Sequence, residues 1–248
     1  MTIGLKELQY TLFLDIETVS GYATFDEMPE GLKPLWIRKA KSLDHSLVIS
    51  DHSAVAAMYQ QRAAIYAEFG RIVCISLGFL SSKGILRVKT ITNHDEKIIL
   101  MELYEILEKH YYDIKKHKIA GHNIREFDVP YICRRMLINE LKLPRIFDIM
   151  SKKPWQTEHF LDTMDLWRFG DYKSYTSLNL ICNVLNIESP KTDLDGSMVG
   201  RAYWEENRLA DIAKYCAQDV VAVVRIIFRL CAIQLEEEMP IAFVGEEE

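Results

Sequence analysis

Hydrophobic and polar positions follow two periods along the chain, one typical of strands and one typical of helices. Residues 9–16, QYTLFLDI, are mostly apolar or aromatic and contain no Gly or Pro, which predicts a strand. Residues 71–80 and 85–91 have the same character, and the SSKG segment between them predicts a hairpin. Residues 20–34 contain two glycines and two prolines, which predicts a loop.

Residues 117–123 and 159–167 are also strand-like. Helical spacing of apolar residues predicts that most of the remaining elements are helices. The predicted helices are residues 35–42, 54–68, 96–112, 129–141, 176–187 and 205–236, with a loop at 188–203. Hairpin strands followed by alternating strands and helices predict a mixed sheet covered by helices, a pattern that any doubly wound α/β fold also satisfies. We expect one domain over residues 1–248, with a helical excursion at about 21–68.

Composition is that of an ordinary globular protein. Of the 248 residues, 49% are hydrophobic and 27% are charged, which suffices for one large α/β domain. The five cysteines include no CxxC pair, which predicts free thiols in a reducing compartment. There is no leader pattern and no apolar run of the roughly 18 residues that a membrane span requires. We therefore expect a soluble, cytoplasmic protein without a membrane partner.

The net charge of −6 counts mildly against a protein that binds only the nucleic-acid backbone, because such proteins are usually basic. A carboxylate-rich metal site would account for this charge, since bound metal ions reverse the local field. Composition alone therefore leaves the function open, and short motifs have to decide it.

The first candidate motif is Asp-x-Glu near the end of the first predicted strand, in LFLDIETVS. Asp15 and Glu17 are two residues apart, so both side chains point to one face of the strand. They are predicted to lie at its carboxyl end, where α/β sheets form ligand crevices. Two like charges on one face repel each other unless a cation lies nearby. A solvated strand end is the alternative, because about one Asp-x-Glu is expected by chance.

The second motif is GHNIREFDVPY, which follows the apolar segment 117–123. Asn123 ends that segment, and Phe127 and Asp128 open the next helix. The helix dipole favours an Asp in the first turn, so Asp128 alone is as consistent with a helix cap as with a metal ligand. In the functional interpretation, its carboxylate faces the same crevice as the first motif.

The third motif, KYCAQDVVAVVRII, lies on the longest predicted helix. Tyr215 and Asp219 are four residues apart and therefore stack on one face of that helix. Tyr22 and Asp26 have the same spacing, and about one such match is expected by chance. That match is discounted, because it lies in a Gly/Pro loop with no helix to align the two side chains.

The order of the three motifs is much more specific than any one of them. Asp-x-Glu on the first strand, Asn-x-x-x-Phe-Asp after a middle strand and Tyr-x-x-x-Asp on the last helix resemble the DEDDy branch of the DnaQ-like 3′–5′ exonucleases. The chain looks like the free-standing proteins related to the exonuclease domain of family B DNA polymerases. The resemblance spans residues 9–232 and includes the segments FLDTMDLWRFG and PKTDLDGSMV. It implies an RNase H-like α/β fold with a central five-stranded mixed sheet, whose second strand is antiparallel to the rest.

The resemblance also implies a site, residue by residue. The carboxylates that would hold two divalent ions, Mg²⁺ or Mn²⁺, are Asp15, Glu17, Asp128 and Asp219. Asp15 would bridge the two ions, Asp128 would help to hold the second, and Tyr215 would orient the attacking water. The residues that would shape the pocket for the 3′ end of a nucleic-acid strand are Thr18, Asn123 and Phe127. Single-stranded DNA is the expected substrate and RNA is the alternative.

Several other residues have simple structural interpretations. Phe127 fits a core aromatic under its helix at least as well as a substrate contact, and His122 is expected to satisfy a backbone group. Asp162 and Asp165 fit strand-end and loop residues, with support of the metal ligands from outside the site as an open alternative. His159 lacks the Cys/His spacing of a structural zinc site. Two segments interleave basic and aromatic residues, as single-strand binders and ordinary solvated helix faces both do: Lys33, Trp36, Arg38, Lys39 and Lys41, and residues 152–155.

Three other functions stay open at this point. An RNA-trimming exonuclease of the RNase D type shares the same five catalytic residues, and nucleotide release from matched DNA and RNA oligomers separates the two. A non-catalytic nucleic-acid-binding module of the same fold is less consistent with the motifs, because clustered like charges are costly without a metal. An RNase H-type endonuclease shares the fold but has no use for the Tyr-x-x-x-Asp helix.

Overall fold

A mixed six-stranded sheet is the centre of the computed structural model, which describes residues 3–171, 175–188, 193–233 and 239–244. The strands are β1 (Thr11–Ser20), β2 (Gly70–Leu80), β3 (Leu86–Thr92), β4 (Lys118–Gly121), β5 (Phe160–Asp162) and β6 (Ile241–Val244). Their order across the sheet is β5-β4-β1-β2-β3-β6. β2 is antiparallel to β1 and β3, whereas β1–β4, β4–β5 and β3–β6 are parallel pairs. The predicted α/β fold with an antiparallel second strand is confirmed, and β6 is an additional strand that was not predicted.

Nine α-helices connect and cover the strands within the described residues. They are α1 (Leu5–Leu8), α2 (Lys33–Leu43), α3 (His52–Arg62), α4 (Glu96–His110), α5 (Asp128–Ile138), α6 (Thr163–Arg168), α7 (Leu178–Val184), α8 (Val199–Trp204) and α9 (Leu209–Leu230). The short 3₁₀ helices are Ala63–Ile65, Arg145–Phe147 and Pro154–Gln156. The predicted excursion between the first two strands contains α2 and α3. None of the helices described is long and apolar enough to cross a membrane.

β1 separates two hydrophobic cores, because its side chains alternate between the two faces of the sheet. Leu14 and Ile16 belong to the core on one face, together with residues of α4 and α5. Phe13 belongs to the core on the other face, to which α9 contributes most of the buried side chains. Asp15 and Glu17 lie on the same face of β1 as Phe13, so both carboxylates point toward α9.

The helix α9 packs closely against the sheet. Its side chains Val220 and Val224 are fully buried in the core that includes β1 and β3 residues. At Gly78 of β2, a Cβ atom would lie only 2.6 Å from Val220 Cγ1, so a glycine is needed for this close approach. The same packing brings the preceding polar positions of α9, Tyr215 and Asp219, over β1.

Two predicted strands have different boundaries in the structure. β1 continues to Ser20, so Asp15 and Glu17 lie within the strand and not at its carboxyl end as predicted. The predicted strand at 159–167 ends at Asp162. The Asp162 carboxylate accepts a hydrogen bond from the N–H of Met164 (2.9 Å), which caps the amino end of α6 and terminates the strand.

The predicted loop at 188–203 and helix at 205–236 also differ from the structure. α8 occupies the end of that loop, and α9 begins at Leu209 and ends at Leu230. Asn207 and Ala232, both with φ of 53°, adopt the left-handed conformation that interrupts a right-handed helix on either side of α9. Residues 190–192 of the PKTDLDGSMV segment, and residues 234–236 of the predicted helix, lie outside the described residues.

The excursion has a small core of its own, in which Trp36 is fully buried. The Trp36 ring packs edge-on against Tyr59 and Phe69, with centroid distances of 5.3 and 5.1 Å. The hypothesis that Trp36 is part of a surface that binds single-stranded nucleic acid is therefore wrong, because a buried indole cannot stack on a nucleic-acid base. Trp155, in the second such segment, is 69% exposed.

Candidate active site

β1 carries the first two carboxylates of the site. Asp15 lies opposite Ser76 and Glu17 opposite Cys74 in the antiparallel register with β2. The register shifts between Glu17 and Thr18, which marks a β-bulge directly after the motif. Bulges bend a strand and re-aim its side chains, and they are frequent next to active sites.

Asp128 reaches the same place from the first turn of α5. Its side chain is buried, and its Oδ1 accepts a hydrogen bond from the backbone N–H of Ile16 (3.2 Å). Ile16 lies between the two carboxylates of β1, so this bond fixes Asp128 beside them. The alternative that Asp128 serves only as a helix cap does not account for this contact with a distant strand.

Asp162, at the end of β5, holds the turn that leads to Asp128. Its two carboxylate oxygens accept hydrogen bonds from the backbone N–H groups of Asn123 (2.8 Å) and Arg125 (3.1 Å). Asn123 has a φ of 60°, a left-handed conformation that asparagine tolerates better than most residues. At Gly121, a Cβ atom would lie 2.0 Å from Ile124 Cγ2 and 2.7 Å from a β1 carbonyl oxygen, so the turn requires glycine there.

α9 supplies the remaining two predicted residues. Tyr215 and Asp219 lie one turn apart on the helix face that covers β1. Burial raises the pKa of Asp219 to about 7, and the hydrogen bond from the Tyr215 hydroxyl acts against this shift. Burial and then the carboxylates of Asp219, Glu17 and Asp15 raise the pKa of Tyr215, so the phenol is protonated at neutral pH.

The four carboxylates perturb one another strongly. Burial raises the pKa of Asp15 well above its ordinary value, and the charges of Asp219, Asp128 and Glu17 raise it further. Burial and then the charge of Asp219 do the same to the pKa of Glu17. Burial also raises the pKa of Asp128 to about 8. Such a cluster is unfavourable when all its members are ionised, unless a cation is bound among them.

One buried carboxylate oxygen provides a test of whether these residues fit a metal ion. Asp15 Oδ2 is buried and has no hydrogen-bond partner within the part of the chain that the structure describes. A buried anionic oxygen without a donor costs free energy, and a hard divalent cation is a partner that carboxylate oxygens accept. Ligand atoms of Asp15, Glu17 and Cys216 lie within 4.8 Å of one another. The donor set is therefore suited to a divalent ion.

A cleft of about 870 Å³ contains all the predicted site residues. Those that line it are Asp15, Glu17, Thr18, Asn123, Phe127, Asp128, Tyr215 and Asp219. The wall on one side comes from the end of α3, and the opposite wall comes from the starts of α7 and α8. Residues from the first strand, a middle turn and the last helix thus meet in one open groove.

Individual side chains refine this picture. Thr18 lines the cleft, but its hydroxyl donates a hydrogen bond to the Ala64 carbonyl (2.9 Å). Phe127 both lines the cleft and packs on the core with Tyr131, at a ring-centroid distance of 5.3 Å. His122 contacts the Thr176 carbonyl through Nε2 (3.0 Å), as expected for a residue that satisfies a backbone group. Burial lowers the pKa of His122 to about 4, so the ring is neutral.

Three features of the site were not recognised from the sequence. Cys216 lies beside the carboxylates, and its thiol donates to the Asp15 carbonyl (3.5 Å). Its spacing of three from Asp219 on the same helix was an available signal. Tyr175, 66% exposed, lines the cleft near Asp128, and no periodic pattern marks it. Asp162 was expected at a strand end, where it could support the metal ligands without binding metal, but its three accepted backbone hydrogen bonds appear only in the fold.

Comparison with known protein families agrees with this geometry. A family model described as a predicted 3′–5′ exonuclease related to the exonuclease domain of PolB matches residues 64–239, which is more than half of the chain. The chain belongs to this exonuclease family. The matched part includes Asp128 and Asp219, whereas Asp15 and Glu17 precede it. The family model therefore does not cover the two β1 carboxylates, and the tertiary structure places them in the same cleft as Asp128 and Asp219.

A solved structure shows the same fold. The family B DNA polymerase from the hyperthermophilic archaeon Pyrobaculum calidifontis is similar over 89% of this chain, with a TM-score of 0.55 and 12% sequence identity. The aligned region is 24% of the polymerase chain, so this exonuclease corresponds to a limited part of that protein. No curated protein sequence matches the chain.

Proposed function

We propose that this family member is a DEDDy-type 3′–5′ exonuclease that uses two divalent metal ions to shorten single-stranded DNA. One observation carries the proposal: four carboxylates from three distant segments converge in one cleft, where Asp15 Oδ2 has no other partner among the described residues. The family's relation to the exonuclease domain of PolB supports DNA as the substrate.

The carboxylates divide into two overlapping sets. Asp15, Glu17 and Asp219 would hold one ion, and Asp15 together with Asp128 would hold the second. Carboxylate oxygens suit Mg²⁺ or Mn²⁺, which are hard ions that retain part of their hydration shell. When bound, such a pair of ions supplies a water of lowered pKa and neutralises the charge that develops on the phosphate and the leaving oxygen.

The proposed reaction is hydrolysis of the last phosphodiester. A water oxygen bonds to phosphorus and loses a proton to solvent, while the bond from phosphorus to the 3′ oxygen of the penultimate nucleotide breaks. That oxygen takes a proton from solvent and becomes the new 3′-hydroxyl, and a nucleoside 5′-monophosphate leaves. Tyr215 acts as a positioning residue through its protonated hydroxyl, because a phenol with a raised pKa cannot accept a proton at neutral pH. The spacing of four residues from Asp219 on α9 keeps that hydroxyl near the carboxylates that would bind metal.

The substrate's 3′ end would lie beside the β1 bulge and the turn before α5. Because the Thr18 hydroxyl is engaged with Ala64, we infer that Thr18 presents its backbone and methyl group to the cleft. Asn123 and Phe127, which lie between β4 and α5, would also border the terminal nucleotide. His122 is not assigned to a phosphate, because its two ring nitrogens are engaged with the Thr163 hydroxyl (2.9 Å) and the Thr176 carbonyl (3.0 Å).

We also infer that residues 1–248 form a single exonuclease domain. The excursion supports this organisation, because it is tied to the sheet by hydrogen bonds. The Gly21 N–H donates to the Phe69 carbonyl (2.8 Å), and the Tyr131 hydroxyl of α5 donates to the Ala64 carbonyl (2.9 Å). The end of α3 also lines the same cleft as the carboxylates.

The test is nucleotide release from a 5′-labelled single-stranded DNA oligomer in Mg²⁺ or Mn²⁺, with an RNA oligomer of the same sequence in parallel. We expect a ladder of DNA products that shorten from the 3′ end. EDTA and the Asp15→Ala substitution should each abolish the ladder. An exposed aspartate outside the cleft, Asp26, provides the matched control Asp26→Ala, which should retain activity.

The alternative outcomes are distinct. Trimming of RNA while DNA remains intact would keep the chemistry and make the enzyme an RNase D-like exoribonuclease. Metal-dependent thermal stabilisation without cleavage of either oligomer would make the chain a non-catalytic nucleic-acid-binding module.

A further inference from the structure

The end of α3 forms a wall of the cleft that none of the motifs includes. Gln60, Gln61 and Arg62 line the cleft from this position, and all three are exposed. Arg62 lies just before residues 64–239, which the family model matches. The wall therefore belongs to the helical excursion of this chain.

This wall is held rigidly beside the metal-binding strand. The Ala64 carbonyl accepts hydrogen bonds from the Thr18 hydroxyl (2.9 Å) and from the Tyr131 hydroxyl (2.9 Å). Thr18 directly follows Glu17 on β1, so the first of these bonds links the wall to a carboxylate of the site. Arg62 is two residues from Ala64 and therefore projects from a fixed piece of backbone.

The cleft needs cations if an anionic strand is to enter it, because its centre is acidic and the protein carries a net charge of −6. Two arginines line it within the described residues, Arg62 and Arg201. Arg201 forms ion pairs with Glu206 (2.9 Å) and Glu205 (3.9 Å). The Arg62 side chain makes no ion pair or hydrogen bond with any residue that the structure describes, so its guanidinium is available to a ligand.

We propose that Arg62 binds a phosphodiester of the DNA single strand on the 5′ side of the bond that is cleaved, and so anchors the strand in the cleft. This inference rests on the exonuclease function proposed above. Arg62 lines the cleft from the end of α3 and forms no ion pair with the four carboxylates, so we assign it to a phosphate other than the one that is cleaved. The phosphodiester that is cleaved is the one that joins the 3′-terminal nucleotide to the rest of the strand. Every other phosphate of the strand therefore lies on the 5′ side of the cleaved bond. A guanidinium matches a phosphate with paired N–H donors, and the contact is independent of base sequence.

The test compares Arg62→Ala and Arg62→Lys with Arg134→Ala, which removes an exposed arginine of helix α5 that does not line the cleft. KM and kcat are measured for a single-stranded DNA oligomer in Mg²⁺ over a range of KCl concentrations. We expect Arg62→Ala to raise KM by about 10-fold, since a charge-assisted hydrogen bond is lost, and to change kcat by less than about 2-fold. The slope of log KM against log salt should fall by about 0.7, the value for one phosphate contact on a single strand.

The controls separate anchoring from other effects. Arg62→Lys keeps the charge without the paired donors and should recover part of the loss in KM, whereas Arg134→Ala should behave as the wild type does. Equal KM and salt slope in Arg62→Ala and Arg134→Ala would overturn the proposal, as would a loss confined to kcat. Absence of DNA trimming by the wild type itself would count instead against the proposed function.

Discussion

The backbone N–H of Ile16 donates a hydrogen bond to Asp128 Oδ1 across 112 residues of sequence. Ile16 faces the core beneath α4 and α5, while its two neighbours on β1 face α9. The bond therefore joins the carboxylate at the start of α5 to the middle of the Asp15–Glu17 motif. It fixes the distance between the two halves of the proposed metal site without using either β1 side chain.

Asp219→Asn should remove exonuclease activity almost completely. The amide keeps the volume of the side chain but loses the negative charge that favours metal binding. Mutation of residues that only support the ligands of a metal already reduces activity by about 10–100-fold. We expect a loss of at least about 100-fold in kcat/KM. The control is Asp26→Asn, the aspartate of the discounted Tyr-x-x-x-Asp match, which is exposed and paired with His52 (2.7 Å). Comparable losses in the two variants would contradict the assignment.

Tyr215→Phe should reduce kcat by about 10- to 100-fold, because the water loses its orienting hydroxyl while the metal-binding carboxylates remain. The dependence of kcat on pH between 6 and 9 should keep the wild-type shape, since the raised pKa of Tyr215 lies above this range. Tyr22→Phe serves as the matched control. A limb of the wild-type pH profile that disappears in Tyr215→Phe would show that the phenol itself titrates during the reaction.

Without metal, Asp128 should make folding less favourable as the pH rises. Its pKa is about 8 in the folded protein, above the ordinary value of 3.8, so its favourable contribution is complete in acid and is lost as the pH rises toward 8. Asp128→Asn removes this dependence, and the amide oxygen can still accept the N–H of Ile16. In EDTA, the variant should gain stability over the wild type by up to about 1.4 kcal/mol per pH unit.

Urea denaturation in EDTA from pH 5.5 to 8.5 measures this difference. Excess Mg²⁺ should reduce it, because a bound ion stabilises the ionised carboxylate of the wild type. A difference between Asp128→Asn and wild type that stays constant with pH would contradict the expected titration.

Asp162→Asn should impair activity, although Asp162 does not line the cleft. It removes the second acceptor oxygen, which receives the Arg125 N–H, and so loosens the turn that carries Asn123. We expect a loss of stability of about 1–3 kcal/mol and a loss of about 10-fold or more in kcat/KM. Asp165→Asn is the control, since its ion pairs with Arg125 and Arg168 are partly exposed and should contribute less than about 1 kcal/mol.

If Asp162 supports the site through this turn, stability and kcat/KM should both fall in Asp162→Asn. Mn²⁺ at high concentration should restore part of the activity, because it compensates for a weakened site without repairing the turn. Full activity in a destabilised Asp162→Asn variant would show that the residue supports the fold alone.

The sequence by itself determined the features that depend on local periodicity. Alternation along a strand places Asp15 and Glu17 on one face, and helical spacing places Tyr215 beside Asp219, whatever the rest of the chain does. The order of strands and helices in the same way predicted a mixed sheet, and the family resemblance of the motifs added the antiparallel second strand. The residues proposed for the site were therefore identifiable before any contact between them was known.

Only the tertiary structure decided the features that join distant segments. An aspartate in a first helical turn is equally consistent with a cap, and the hydrogen bond from Ile16 distinguishes the two for Asp128. The bracing by Asp162, the burial of Trp36 and the position of Arg62 in the cleft follow in the same way from packing between separate elements. The physical reason is that propensity and periodicity act over a few neighbouring residues, whereas these contacts depend on how whole strands and helices pack.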